Sequence, residues 1–211
     1  MIKAFLLVFE PTATWERIFR AQRSFSFVLW CFLMPLLLLV AVVEGIGLHR
    51  LGKWQQDAMR LKQFELGEAV LFEAMQVVLG LVVVLVAAWL FKSLGETFHG
   101  RHSLAQTFTV AAYGLSPWLV VRMLDAFPSV SPWIPWITWA IGILLSVGVL
   151  YHGIPRVMMP DPPHAFGLYL MSSIFLMAVT ALMRFVTAWY LQGRFKPVET
   201  LLRDAGRSLF S

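Results

Sequence analysis

The sequence predicts an all-α polytopic membrane protein, a five-helix transmembrane bundle preceded by amphipathic helices suited to the interface. Three observations carry that prediction. Phe25–Leu48, Val70–Phe91, Leu104–Leu124, Trp133–Gly153 and Ala165–Leu191 are apolar stretches that each reach the roughly 20 helical residues a hydrocarbon core of about 30 Å requires. Hydrophobic residues make up 59% of the 211 and charged ones only 14%, against about 25% in soluble domains. Runs such as Val77–Leu90 do not alternate apolar with polar residues, which argues against a barrel. Lipid offers backbone N–H and C=O groups no partners, so helices are the spanning form that remains.

The chain divides into an amphipathic segment (1–24), a five-span domain (25–191) and a basic tail (192–211). In the first segment, Ile2, Phe5, Leu6 and Phe9 follow helical spacing. After Pro11 a second helix is expected, with Thr12 as its N-cap, Trp15, Ile18 and Phe19 on one face and Arg17 and Arg20 opposite. Two readings stay open: helices lying in the headgroup layer, or helices packed on the protein's own spans. The apolar stretch Ala4–Phe9 is short for a cleavable leader and stops at Glu10-Pro11, so the first span is expected to act as an uncleaved signal anchor.

The first span holds Pro35, Glu44 and the single cysteine, Cys31, which excludes an intrachain disulfide. His49–Gly67 is polar, lacks proline and is expected to prolong the adjoining helices beyond the membrane. The second span opens with Glu68, Glu73 and Gln76 and then becomes wholly apolar. Lys92–Ser103 reads as a polar turn. The third span carries Tyr113, Gly114 and Pro117 and ends at Arg122 and Asp125. Trp133, Trp136 and Trp139 resemble an interfacial belt. Pro155–Pro163 is a proline-broken loop, and the last span contains Arg184. An odd number of spans places the termini on opposite sides. Lys plus Arg is nearly equal on the two sides, seven against nine, so charge does not orient the protein. The formal net charge of +5 fits basic residues that flank spans and meet anionic headgroups, with no call for nucleic acid.

Three segments carry a family likeness: EPTATWERI, GRHSLAQTFTVAAYGLSP and VLYHGIPRV. They resemble motifs of the Yip domain family, five-span membrane proteins related to Ypt/Rab-interacting proteins. The matching positions are Pro11, Trp15, Gly100, Ser103, Gln106, Tyr113, Pro117 and Gly153. The resemblance implies a membrane protein without enzymatic activity or cofactor. Eukaryotic members take part in vesicle trafficking, contact Rab GTPases and generally carry a long hydrophilic N-terminal region. Only about two dozen residues precede the first span here, which looks like the short prokaryotic members and implies a bacterial plasma membrane.

Burying charge in lipid is expensive, so intramembrane ionisable residues are the site candidates: Glu44, Glu73, Arg122, Asp125 and Arg184, with Tyr113 beside them as a polar group. Glu44 and Glu73 belong to neighbouring spans and would lie at similar depth, either as a proton-sharing carboxylate pair or as two residues reaching water. Arg122 and Asp125, spaced i, i+3, are expected to pair with each other. Arg184 needs a partner such as Glu73 or Asp125, unless it snorkels. Tyr113 is placed to bond a carbonyl freed by Pro117. Pro35, Gly142 and Gly148 are expected to kink helices or allow close packing. Glu96, His99 and His102 form E-x-x-H-x-x-H across a turn, readable as a metal site or as a solvated polar turn. No nucleophile elbow, phosphate loop or dinucleotide fingerprint occurs. The expected function is a non-enzymatic scaffold or adaptor whose partners are lipids, other membrane proteins or copies of itself. The rivals are a small channel or transporter using the carboxylates, and a metal-dependent membrane enzyme.

Overall fold

The computed structural model describes residues 2–55, 60–97, 103–127, 133–160 and 162–191, together with residues 200, 201 and 204. Five helices are long and apolar enough to cross a membrane, as the sequence predicts. They are span 1 (Phe25–Leu51), span 2 (Leu66–Thr97), span 3 (Leu104–Ala126), span 4 (Ile134–Val157) and span 5 (Pro162–Leu191). Span 3 is the axis of the bundle. Its apolar window is 72% buried, against 33–39% for the other four. It packs against spans 1, 2 and 4, while span 5 closes the bundle against spans 2 and 4.

Local chemistry sets the irregularities. Ser24 caps span 1, its hydroxyl accepting the Phe27 N–H at 3.3 Å. Pro35 lacks the N–H a helix interior needs, and a π-turn at Leu29–Leu33 precedes it and takes up the mismatch. Ser103 and Gln106 form a reciprocal capping box at the start of span 3. Span 3 breaks at Leu115 and restarts at Ser116, with Pro117 in its first turn. Pro117 leaves the Tyr113 carbonyl without its helical donor, and the Ser116 hydroxyl fills that place at 2.6 Å. The carbonyl needing a partner is thus that of Tyr113 itself, so the tyrosine is not the donor the sequence suggested. Trp118, in the same turn, donates its N–H to Ser146 Oγ on span 4 at 3.2 Å.

The N-terminal helices, α1 (Ile2–Phe9) and α2 (Pro11–Ala21), pack on the bundle. Helix α2 begins at Pro11 with Glu10 at the cap position, not with Thr12. Trp15 and Ile18 are buried as the periodicity predicts, with Arg17 and Arg20 exposed. In α1 the face that carries Phe5 and Phe9 turns outward. Ala4 and Leu7 are buried, whereas Phe5 and Phe9 are exposed. A lipid-facing surface welcomes large apolar side chains and a helix contact favours small ones, so apolar spacing alone does not say which face turns inward. Gly142 and Gly148 divide in the same way. A Cβ at Gly142 would lie 2.9 Å from Trp118 Cα, while one at Gly148 would meet nothing within 4 Å.

The segment after span 1 departs from the predicted helical extension. Span 1 ends at Leu51, and Gly52 adopts φ 73°, a left-handed value that suits a glycine. Lys53–Gln55 (β1) and Arg60–Lys62 (β2) then form an antiparallel ladder. His49 Nδ1 donates to the Phe64 carbonyl at 3.1 Å and ties the return strand to span 1.

Candidate functional site

The intramembrane charges gather at one end of the bundle, the end that carries the β1–β2 ladder. Arg122 on span 3 makes a bidentate pair with Glu44 on span 1: Nε to Oε1 at 2.9 Å and Nη2 to Oε2 at 2.7 Å. Both residues are buried, at 7% and 3% exposure. Arg122 Nη2 also donates to Gln76 Oε1 on span 2 at 3.1 Å. Gln76 Nε2 then donates to Thr187 Oγ1 on span 5 at 3.1 Å, and the Thr187 hydroxyl donates to the Met183 carbonyl. Four spans are joined by one chain of hydrogen bonds.

A second pair lies beside it. Arg184 Nη2 on span 5 donates to Asp125 Oδ2 on span 3 at 2.6 Å and to the Pro135 carbonyl on span 4. Asp125 Oδ1 accepts the Thr138 hydroxyl at 2.5 Å. The predicted Arg122–Asp125 pairing within one helix is therefore replaced by two pairs between helices. The last turn of span 3 tightens into a 3₁₀ helix at Met123–Ala126 and distributes the two side chains to different neighbours. Arg184 does not snorkel: its side chain is 12% exposed and engaged by Asp125, one of its two predicted partners.

Close backbone approach makes the first pair possible. A Cβ on Gly47, one turn after Glu44, would lie 2.7 Å from Ala126 Cα. Only a glycine lets span 1 come near enough to span 3 for Glu44 to reach Arg122. Glu73 is buried at 4% exposure, its Cγ packs where a Cβ of Gly45 would lie, and its charge acts on Arg122 from the side of span 2. Neither reading of Glu44 and Glu73 describes the arrangement: both are buried, and both Glu44 oxygens are engaged by Arg122. The sequence reading left Gln76, Thr138 and Thr187 out of the site. A polar residue in an otherwise apolar span was their only signal, and threonines satisfy their own helix carbonyls so often that the signal is weak.

Tyr113 lies near the middle of span 3, facing the half of the bundle away from the charges. It stacks on Phe32 with ring centroids 4.0 Å apart and meets Trp15 edge-on at 6.3 Å. Trp15 is fully buried and donates its indole N–H to the Val149 carbonyl on span 4 at 2.9 Å. Its ring lies against Gly153, where a Cβ would come within 2.5 Å of it. Trp15, Tyr113 and Gly153 therefore meet in one aromatic joint. Ser103 and Gln106 cap span 3 on the same side.

Of the predicted metal set, His99 and His102 lie outside the described residues, as does Gly100 of the family pattern. Glu96 is exposed and forms an i, i+4 ion pair with Lys92 at 3.6 Å. Among the described residues no three His, Cys, Asp or Glu side chains are grouped to hold a metal ion.

No curated protein and no solved structure matches the chain. The family model of the Yip1 domain matches residues 5–184, from within α1 to Arg184 in span 5, and takes in the aromatic joint and both ion pairs. With that match over most of its length and five helices fit to cross a bilayer, the chain is an integral membrane protein and belongs to the Yip1 domain family.

Proposed function

We propose that this protein is a non-enzymatic scaffold or adaptor that organises its membrane through lipids, other membrane proteins or further copies of itself. The observation that carries the reading is the use made of the buried charges. Arg122 and Arg184 are each engaged by a carboxylate from another helix, and their hydrogen bonds extend to all five spans. Charges arranged in this way hold helices in register, where interhelical hydrogen bonds and packing replace the hydrophobic effect. The buried charges cluster at one end of the bundle, and the aromatic joint fills the space on the other side of mid-span. A transport path needs polar groups through the full depth of the membrane. We place the protein in a bacterial plasma membrane on the strength of the resemblance alone.

The test is cross-linking in native membranes followed by capture in mild detergent. A recurrent membrane partner or a discrete homo-oligomer is expected. An ion or solute flux in proteoliposomes that Glu44→Gln abolishes would overturn the reading in favour of a channel or transporter.

A further inference from the structure

Spans 1 and 2 diverge on their lipid side at the charged end and leave a groove of roughly 520 Å³. Ala41, Gly45 and Ala69 form a recessed floor, and the exposed side chains of Val42, Val70 and Ala74 stand as its banks. Glu73 contributes to the wall, but its carboxyl oxygens are buried. The groove is therefore apolar along its length, and its size is within the range of about 300–1,000 Å³ that suits a small ligand.

Its mouth is basic. Span 1 has 27 residues, about 40 Å of helix, and exceeds the hydrocarbon core by two turns. The last turn of that helix, His49-Arg50-Leu51, carries its basic residues, and His49 and Arg50 both line the groove. His49 uses Nδ1 to hold the Phe64 carbonyl. Arg50 is exposed and has no ion pair among the described residues.

We propose that this groove is a binding site for an anionic phospholipid, with one acyl chain along the floor between spans 1 and 2 and the phosphate against Arg50. The apolar walls take the chain and the basic mouth selects the headgroup. The site is independent of the scaffold reading, since a bound lipid of this kind requires only that the protein sits in a bilayer.

The test is native mass spectrometry of the full chain released from nanodiscs containing equal amounts of phosphatidylglycerol and phosphatidylcholine. One phosphatidylglycerol retained per chain is expected. Arg50→Gln, a change at an exposed side chain, should lower the preference for phosphatidylglycerol roughly five-fold, the weight of one basic residue at an anionic surface. Ala41→Phe, which fills the floor, should reduce retention of both lipids. Equal retention of the two lipids by the unaltered protein would overturn the proposal. So would an unchanged preference in Arg50→Gln, or a dimer that retains no lipid and so fills the groove with a second copy.

Discussion

The two ends of this bundle hide polarity from lipid in different ways. At the aromatic end, Trp15, Phe32 and Tyr113 fill the space between helices, and one indole N–H satisfies one carbonyl. At the charged end, two guanidiniums and their carboxylates are buried and must be matched group by group. The contrast teaches that membrane helices of similar hydropathy can be joined by shape at one level and by charge at another. Failure should differ accordingly. A lost contact in an aromatic joint costs packing, while a lost partner in a charge pair leaves an ion in a medium that cannot solvate it.

The largest effect is therefore expected at the charged end. Arg122→Met leaves Glu44 buried without its bidentate partner and should cost about 3–5 kcal/mol. The double variant Glu44→Met with Arg122→Met should recover most of that loss. Thermal unfolding in mild detergent measures both, and equal loss in the single and double variants would show that the pair is not the reason for the cost. Gly153→Ala comes next. The new methyl would lie 2.5 Å from the Trp15 ring and should displace the N-terminal arm at about 1–3 kcal/mol. The expected sign is faster protease cleavage within α2, and unchanged cleavage would contradict the joint.

A cross-test asks whether the two ends are separate. Combining Arg122→Met with Gly153→Ala should give additive losses within about 0.5 kcal/mol, as distant sites do. A larger departure would mean that span 3 transmits strain between the ends through its break at Leu115–Pro117. Ser103→Ala removes the side-chain acceptor of the capping box and should cost about 1 kcal/mol in the same unfolding assay. Gly148→Ala is the control, because nothing lies within 4 Å of the added methyl. Its effect should stay within about 0.5 kcal/mol.

Much of the architecture was readable from residues alone. The five spans and the shared face of Trp15 and Ile18 follow from local patterns, whereas the choice of Asp125 over Glu73 as the partner of Arg184 does not. The ladder of Lys53–Gln55 with Arg60–Lys62 escaped because a polar stretch without proline carries no strong mark against helix, and Gly52 alone signals that the helix ends. The inward face of α1 escaped for another reason. Phe5 and Phe9 are the more hydrophobic choice, but in a bilayer that quality suits the outside as well as the inside.

The sequence by itself determined that this chain crosses the membrane five times and that several charges must be hidden within it. Those follow from the length of apolar runs and from the cost of desolvating an ion, both local quantities. Only the tertiary structure decided which charges meet. Glu44 reaches Arg122 because Gly47 lets two helix backbones close on each other, and Asp125 reaches Arg184 because the end of span 3 tightens. Such pairings depend on how helices distant in sequence cross, and that geometry is set by packing between them and not by the order of residues along any one.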